Sequence, residues 1–387
     1  MLLTLWLSSR AAFINFEDQF LVLGFTLAVA IWFYSQLKIP TAFFVYLGMF
    51  ALWVLLIAFV EQRVSYPTLI GHLLRVAVGI IAVVVLNNRL FHLFPLWVYR
   101  LSLMGLPLYA LGLFAPDLIA TAYALTPEIL TFHGGTLIEG RLDSGLPRAS
   151  WLFYTLSPTR LSQNAGFMWE PAAFAFVTVS ALTLRLIRGH RSLDKQNIIL
   201  TIATLTTLST TGYLGLALAL GYWVFSVWEN KLLAVACLLP AIVTALLGFD
   251  FILPKITAEF ETGYSDSMRW SLSRYASFLR DFEVFRRSPL LGTGLVADPG
   301  YDSHNGFSDY LRRYGLFWTM ATLVLLATSL RRVATLPGTA TFLAVILVFA
   351  WSEKFFELPL FYALQFAVFL PLAQRVYPQG GHIARSP

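Results

Sequence analysis

The chain has 387 residues, of which 58% are hydrophobic and only 12% are charged, and its formal net charge is +6. Soluble domains carry about 25% charged residues, so this composition excludes a soluble globular protein. The basic residues lie at the ends of apolar segments and in one loop, where membrane topology and a phosphate ligand explain them better than nucleic acid does. We therefore expect no nucleic-acid partner.

Apolar segments recur along the whole chain, each near the roughly 20 residues that a membrane-spanning helix needs. They lie at 20–37, 41–60, 69–86, 95–114, 171–187, 197–228, 232–249, 314–330, 339–351 and 359–373. The segment 197–228 is longer than the others and contains Ser209-Thr210-Thr211-Gly212, which predicts two short helices that meet at a break. We therefore expect an all-α polytopic membrane protein of one domain, residues 1–387, with eleven spans, or twelve if residues 1–19 also cross.

Two long segments between the spans, 115–169 and 250–313, are polar and rich in turn residues. Basic residues in short loops mark the cytoplasmic side of a membrane protein, and here they are Arg188, Arg191, Lys195, Lys231, Arg331, Arg332 and Arg375. Counting spans from these residues puts both long segments on the outer side. Long loops cross the membrane largely regardless of charge, so the arginines in 250–313 do not contradict this topology.

The second long segment contains a predicted amphipathic helix at 267–287. Its apolar residues recur at steps of three and four, at Met268, Leu272, Tyr275, Leu279 and Phe282. Arg269, Arg280 and Arg287 fall on the opposite, outer face, where they form either a solvated or headgroup-facing stripe or part of a phosphate site. Arg274 lies at the edge of the apolar face. A guanidinium in that position needs an anionic partner, and a diphosphate fits its fork geometry.

The run Asp302-Ser303-His304-Asn305 precedes an apolar segment, and Asp302 or Ser303 is typical of a helix N-cap. His304 would then lie near the N-terminus of a helix, at the outer membrane face. The positive end of the helix dipole disfavours an imidazolium, and a general base requires a neutral imidazole. An interfacial histidine without a role is the other interpretation of this residue.

The first long segment ends in RLSQNAGFMWEPAAF, residues 160–174. Glu170 and Pro171 open a span, where proline suits the first helical turn and an acidic residue suits the dipole. Glu170 is therefore either a capping residue or a site residue. The residues around Arg160 indicate no structural role for it, so Arg160 is a candidate site residue.

Charged residues also occur inside or at the ends of the predicted spans. Arg75 lies near the middle of a span, and an intramembrane charge is a candidate functional residue by default. Glu353, Lys354 and Glu357 lie near the outer end of a span, at the spacing of pairs on one helical turn.

The sequence lacks several motifs that would indicate a cofactor or a metal. It has no G-x-x-x-x-G-K-[ST] loop, no H-E-x-x-H, no Cys/His cluster and no loop carboxylate pair of the DxD type. We therefore expect neither a cofactor nor a bound metal.

Taken together, the motifs of the second long segment resemble those of the O-antigen ligase and Wzy-type polysaccharide polymerase superfamily. The matching residues are Arg274, Phe278, the run Pro289-Leu290-Leu291-Gly292-Thr293-Gly294, His304-Asn305 and Tyr314-Gly315-Leu316.

Two weaker matches accompany this one. The run from Arg160 through Gly166-Phe167 to Glu170-Pro171 is similar to one found in many exopolysaccharide polymerases. Thr210 stands where many members of the superfamily, ligases among them, carry an arginine. Both features favour a polymerase over a ligase.

The resemblance implies a GT-C-like, metal-independent inverting glycosyltransferase in the bacterial inner (cytoplasmic) membrane. Such an enzyme moves a glycan from an undecaprenyl-diphosphate carrier to an acceptor hydroxyl at the periplasmic face, so 115–169 and 250–313 would be periplasmic loops and the second would be catalytic. The leading expectation is a polymerase of O-antigen or exopolysaccharide repeat units, which could work with a chain-length regulator and a flippase. The alternatives are a ligase that uses lipid A-core as acceptor and a transporter or flippase of lipid-linked oligosaccharide.

The resemblance also implies roles for individual residues. Arg274, with Arg160 and Arg269, would hold the diphosphate, and His304 would take the proton of the attacking hydroxyl. Glu170 would orient His304 or the acceptor. The expected catalytic residues are thus His304, Arg274 and Glu170, and the expected substrate-binding residues are Arg160, Arg269, Asn305 and Arg75.

Overall fold

The computed structural model describes residues 1–9, 17–62, 66–132, 137–138, 141–142, 148–151, 153–158, 161–190, 194–227, 274–295, 303 and 305–370. Within these ranges the chain is mostly helical. The helices are α1 Leu2–Ser9, α2 Glu17–Ser35, α3 Thr41–Glu61, α4 Tyr66–Leu86, α5 Leu90–Phe114, α6 Pro116–Ala124, α7 Pro171–Ile187, α8 Lys195–Leu205, α9 Thr210–Val227, α10 Arg274–Phe285, α11 Gly306–Arg331, α12 Leu336–Ala350 and α13 Pro359–Phe366. Short 3-10 turns occur at Asn87–Arg89, Glu128–Leu130 and Ala367–Phe369.

The described part of the first long polar segment contains five short strands that the sequence did not predict. They are β1 Thr131–Phe132, β2 Leu137–Ile138, β3 Arg141–Leu142, β4 Arg148–Ser150 and β5 Thr155–Leu156. Strands β1, β4 and β5 form one antiparallel sheet in that order, and β2 pairs with β3. Strands of two or three residues carry too little apolar alternation to be recognised in a sequence.

Three segments among the described residues are long and apolar enough to cross a membrane: Thr41–Glu61, Thr68–Phe114 and Thr210–Val227. Shorter apolar helices lie at Gln19–Ser35, Pro171–Ile187, Leu336–Ala350 and Pro359–Phe369. Helix α3 exposes Phe44, Leu52 and Phe59, and such an apolar outer surface matches a lipid environment. The total of eleven or twelve spans stays a prediction, since the predicted span 232–249 lies outside the described residues.

The predicted break in the segment 197–228 is confirmed. Helix α8 ends at Leu205 and α9 begins at Thr210, and Leu208 between them has a φ of 49°. The Ser209 hydroxyl accepts a hydrogen bond from the Gly212 amide at 3.2 Å, which satisfies one of the free amides at the start of α9.

The two ends of helix α7 lie at opposite sides of the molecule. Arg188, just after α7, donates to the carbonyl oxygen of Phe91 at 2.7 Å, and Ile187 packs against Gly338 near the start of α12. At the other side, Phe176 near the start of α7 stacks on Phe355 beyond the end of α12, with 4.1 Å between ring centroids. Glu170 and Lys354 therefore lie at the end opposite to Arg188.

Helix α11 is kinked at Gly315, which has a φ of 71° and a ψ of 175°. The kink divides the helix into a polar first segment, 306–314, and an apolar second segment, 316–331. A glycine adopts this backbone conformation without the steric cost that a side chain would bring.

The kink frees three main-chain carbonyl oxygens, of Arg312, Arg313 and Tyr314, which accept hydrogen bonds from outside the helix. Their donors, in that order, are the amide of Thr293 (2.8 Å), the amide of Gly294 (3.0 Å) and the indole of Trp53 (3.1 Å). The amide of Leu316 in turn donates to the carbonyl oxygen of Pro289 at 2.8 Å. The loop 289–294 thus replaces the helical hydrogen bonds that the kink removes, as buried backbone groups require.

Replacing Gly315 with alanine should destabilise the protein. A Cβ at this position would lie 2.2 Å from the carbonyl oxygen of Leu290, and the positive φ adds strain of about 1–3 kcal/mol. Gly48→Ala in α3 is the matched control, because the methyl group that it adds would meet no neighbouring atom within 4 Å. Thermal unfolding in detergent should show a lower transition temperature for Gly315→Ala alone. Equal stability of both variants would contradict the role of the kink.

Candidate functional site

The buried face of helix α10 includes two polar residues beside Ala276 and Phe285. Ser277 and Asp281 have no exposed surface, whereas Tyr275, Leu279 and Phe282 expose 38–47% of theirs. The prediction that the apolar stripe faces inward is wrong for Tyr275, Leu279 and Phe282, whereas Arg287 is exposed as predicted and Arg280 is partly buried. This orientation is the one expected of a helix at a membrane surface, where apolar side chains are stable against lipid and polar ones find partners inside.

Asp281 is held by two hydroxyl donors and one arginine from the region at the start of α11. Its Oδ2 accepts hydrogen bonds from the hydroxyls of Ser303 (2.5 Å) and Ser308 (2.6 Å). Its Oδ1 lies 3.0 Å from Nε of Arg312. A buried carboxylate is stable only when charge and hydrogen bonds compensate it, and these contacts supply both. Asp281 thereby fastens α10 to α11.

Asp309 is surrounded by three cations. Arg312 Nη2 lies 2.7 Å from its Oδ1, Arg313 Nη2 lies 2.9 Å from its Oδ2, and Lys354 Nζ lies 3.7 Å from the same oxygen. The two arginines follow Asp309 by three and four residues, so helical geometry brings them together. Lys354 comes from the segment 351–358, so Asp309 fastens that segment to α11.

Glu357 extends these contacts to helix α4. Arg313 Nη1 lies 3.5 Å from its Oε1, and His72 Nε2 lies 3.7 Å from its Oε2. The Tyr314 hydroxyl donates to Oε1 at 3.2 Å and lies 3.3 Å from Nδ1 of His72. Arg75, one turn after His72, adds its positive charge to the field at Glu357.

We call the linked residues the ion cluster: Asp281, Asp309, Arg312, Arg313, Lys354 and Glu357. Charges of opposite sign alternate along it, from α10 through α11 to the segment 351–358, and His72 of α4 lies at its edge. The cluster contains three carboxylates and three cations. Removing these charged side chains from water costs desolvation energy, which only the ion pairs and hydrogen bonds between them offset. The helices that carry them must therefore stay in contact.

Two carboxylates of the ion cluster remain ionised at neutral pH. Burial alone would raise the pKa of Asp309, but the charges of Arg313, Lys354 and Arg312 outweigh burial and hold that pKa below its usual range. Burial would also raise the pKa of Glu357, but His72 and Arg313 outweigh burial and lower that pKa to about 2. These contacts favour the ionised form of both carboxylates.

Asn305 is the N-cap of α11, in place of the predicted Asp302 or Ser303. Its Oδ1 accepts a hydrogen bond from the Ser308 amide at 3.0 Å. Ser303 instead bonds to Asp281, and Asp302 lies outside the described residues. The side-chain Nδ2 of Asn305 is buried and has no hydrogen-bond partner within the described part of the chain. It is a donor that a ligand's oxygen could use.

The start of α11 lies directly on the backbone of the segment 351–358. A Cβ at Gly306 would stand 1.9 Å from the carbonyl oxygen of Glu353, so only glycine permits this approach. Lys354 and Asn305 therefore lie on neighbouring stretches of chain, at the same end of the molecule.

The predicted site residues are only partly brought together. His304, Arg160 and Arg269 lie outside the described residues. Arg274 is half-buried at the first residue of α10 and lies seven residues before Asp281, a distance of about 10 Å along a helix. Asn305 lies beside the ion cluster.

Glu170 and Arg75, the other two predicted residues, occupy the same end of the molecule. Glu170 has the N-cap position of α7, but its side chain makes no capping hydrogen bond. Its Oε1 instead accepts a hydrogen bond from the indole of Trp169 at 2.8 Å, so the capping interpretation of the side chain is wrong. Arg75 is half-buried in α4 and acts on Glu357 through its charge.

The ion cluster itself includes four residues that the sequence did not single out: Asp281, Asp309, Arg312 and Arg313. One signal was available, because Asp309 precedes two arginines at helical pair spacing in a chain with few charges. The contacts from Asp281 to Ser303 and Arg312 span more than twenty residues, and no local pattern predicts them.

The described residues contain no group of three or more His, Cys, Asp or Glu side chains that could hold a metal ion. The site instead offers fixed positive charges, an unused amide donor at Asn305 and carboxylates engaged in ion pairs. Such an arrangement suits the binding and orientation of an anionic or hydroxylated substrate.

Comparisons with known proteins add no assignment. No family model, no curated protein and no solved structure matches this chain.

Replacing Asp309 with asparagine should destabilise the protein by about 3–5 kcal/mol, because buried cations lose their shared counter-charge. Asp117→Asn is the matched control, since Asp117 is exposed in the first turn of α6. Unfolding by heat or denaturant in detergent should distinguish the two. A loss for Asp309→Asn no larger than that of the control would mean that the ion cluster does not hold α11 in place.

Proposed function

We propose that the chain is a glycosyltransferase that polymerises undecaprenyl-diphosphate-linked oligosaccharide repeat units, of the O-antigen or exopolysaccharide kind, at the periplasmic face of the bacterial inner membrane. One observation carries the proposal. The separate stretches on which the resemblance rests are joined by direct contacts: Asp281 ties the helix of Arg274 to Ser303 and Ser308, and the loop 289–294 bonds to the kink at Gly315.

The exposed apolar stripe of α10 supports a lipid-linked donor. Tyr275, Leu279 and Phe282 would lie against the acyl chains, which sets α10 at the boundary between lipid and water. The diphosphate of a polyprenyl carrier lies at the same depth. Arg274, at the N-terminal end of α10, would then meet the diphosphate without leaving the interface.

The charge balance of the ion cluster bears on which cations would serve the donor. Arg312, Arg313 and Lys354 are matched by the three carboxylates of the cluster. A diphosphate would need further positive charge, and Arg274, Arg160 and Arg269 are the candidates. In this proposal the ion cluster holds the site in shape, and these other arginines neutralise the leaving group.

The remaining roles follow from the chemistry of the reaction. A lipid diphosphate is a good leaving group, so the protein must neutralise its charge and orient the acceptor hydroxyl. His304 would remove the proton from that hydroxyl as general base. Asn305, through its unused Nδ2, and Arg75 would bind substrate oxygens, and Glu170 would orient His304 or the acceptor.

A transporter or flippase of lipid-linked oligosaccharide is the second candidate, because the break between α8 and α9 is a feature of transporter sites. The charged groups favour the enzyme. The ion cluster lies at one end of the molecule, near the start of α11, and not at the break between α8 and α9. A ligase would share the donor site and differ in its acceptor, lipid A-core.

A reconstituted assay tests the proposal. The purified protein in liposomes would receive an undecaprenyl-diphosphate-linked repeat unit, with or without lipid A-core. We expect a ladder of longer lipid-linked glycans from the donor alone. Transfer that occurs only with lipid A-core would identify a ligase. Movement of the donor between leaflets without any transfer would identify a flippase and would overturn the proposal.

Replacing Arg274 with lysine should lower the rate of transfer in this assay by about 10- to 100-fold. Lysine keeps the charge but loses the paired hydrogen bonds of the guanidinium fork, each charge-assisted bond being worth about 1.5–3 kcal/mol. Arg287→Lys is the matched control, because Arg287 is exposed just after the same helix. Equal activity of the two variants would remove Arg274 from the donor site.

A further inference from the structure

We propose that Arg100 and Trp97, on the outer surface of α5, form a binding site for the phosphate group of an anionic phospholipid. The start of α5 lies at the end of the molecule opposite to the ion cluster, because Arg188 donates to the carbonyl oxygen of Phe91 there. This lipid site is therefore separate from the donor site of the proposed function, and neither requires the other.

Helix α5 carries an arginine on its surface well inside an apolar stretch. Arg100 is exposed, and it lies ten residues after the helix begins at Leu90, which is about 15 Å along the axis. The stretch Thr68–Phe114, which contains it, is long and apolar enough to cross a membrane. A charge on the surface of such a helix is costly unless it reaches water or an anion.

The side chain of Arg100 is turned toward the start of α5. Its Cζ lies 5.1 Å from the centroid of the ring of Trp97, three residues earlier in the helix. Side chains on a helix lean toward its N-terminus, so a long side chain reaches furthest in this direction. The cation–π contact with the ring favours this orientation of the guanidinium. The charge therefore lies nearer to the membrane surface than the backbone of Arg100 does.

The outer surface of α5 changes from polar to apolar at Arg100. On the far side of it, Leu103 and Met104 expose 46% and 51% of their surface, which suits contact with acyl chains. On the near side, Arg89 is exposed just before the helix begins. It precedes Arg100 by eleven residues, which is about three helical turns, so the two arginines lie on the same side of the helix. The headgroup level of the lipid thus falls between them.

The charges of this surface match a phosphate with a net negative charge. Residues 87–114 contain no aspartate or glutamate, so an ammonium headgroup would find no carboxylate on α5. Arg100 has no ion-pair partner among the residues that the structure describes. A guanidinium binds phosphate oxygens in pairs, and basic residues near the membrane surface attract anionic lipids.

Lipid titration of the full chain tests the site. Delipidated protein in detergent would receive phosphatidylglycerol or, in parallel, phosphatidylethanolamine with the same acyl chains, and native mass spectrometry would give the Kd of the first lipid bound. We expect phosphatidylglycerol to bind at least about fivefold more tightly, and Arg100→Leu to remove most of that difference. Equal affinities of the unaltered chain for the two lipids would overturn the proposal, as would an Arg100→Leu chain that keeps the preference.

Arg331→Leu is the matched control. Arg331 is an exposed arginine at the last residue of α11, and the residues one turn before it, Ala327 and Thr328, offer no ring. We expect its removal to weaken phosphatidylglycerol binding less than about twofold. An equal loss in both variants would mean that the lipid responds to the total charge alone and would overturn the site.

Two variants of Trp97 test the role of the ring. Trp97→Leu keeps the charge of Arg100 but removes the cation–π contact, and it should weaken phosphatidylglycerol binding about two- to fivefold. Trp97→Phe retains a ring and should recover most of the affinity. Binding by Trp97→Leu that equals binding by the unaltered chain would overturn the paired site.

Photo-crosslinking locates the lipid directly. A phosphatidylglycerol with a photoreactive headgroup should label peptides within 87–104, and Arg100→Leu should lower that labelling at least about fivefold. Labelling confined to other parts of the chain would overturn the site. A loss of self-association in Arg100→Leu with unchanged lipid binding would assign this surface to a protein partner and would also overturn it. Thermal unfolding in the same detergent should be unchanged, because leucine suits an exposed position that faces lipid.

Discussion

Two buried carboxylates, Asp281 and Asp309, hold together the end of the molecule that carries the candidate site. Each is almost without exposed surface, and each is compensated by arginines of α11. Removing a charge from water costs several kcal/mol, so neither carboxylate is tolerated there unless its partners stay in place. The position of α11 against α10 and the segment 351–358 is thus fixed by ion pairs, in a protein whose other contacts are mostly apolar.

Glycine allows this polar end of the molecule to continue into an apolar helical segment. The kink at Gly315 allows a polar segment, 306–314, to lead into the apolar segment 316–331 in a different direction. The loop 289–294 donates hydrogen bonds to the carbonyl oxygens that the kink frees. Gly306 allows the start of the helix to contact the backbone at Glu353. These backbone contacts join Pro289 and Gly294 to the kink at Gly315, and Gly306 to Glu353, although the joined residues are distant in sequence.

Hydropathy predicted most of the helices, including the break between α8 and α9, because a run of apolar residues has few other structures open to it in a bilayer. The orientation of α10 was not predictable in the same way. Its apolar stripe is exposed, since the surrounding medium there would be lipid, and the usual rule that apolar faces point inward does not apply. The N-cap is Asn305, two residues after the predicted Ser303. The hydroxyl of Ser303 bonds to Asp281, a residue distant in sequence, and no local pattern predicts that contact.

The candidate site was predictable as a region but not as a set of contacts. Motif residues such as Arg274 and Asn305 were visible in the sequence, and Arg75 was visible as a charge within a span. Asp281 and Asp309 matter through partners from other elements, which no local pattern reveals. The ion cluster holds the helices together, and in our proposal Arg274, Arg160 and Arg269 bind the substrate.

The central claim is that an anionic lipid carrier binds at this end of the molecule, between α10 and the start of α11. A cryo-EM map of the protein in nanodiscs with bound undecaprenyl diphosphate tests it most directly. The account predicts density for the two phosphates within hydrogen-bond reach of Arg274 and of Asn305 Nδ2. Phosphate density at the opposite end, beside Arg185 and Arg188, would contradict it.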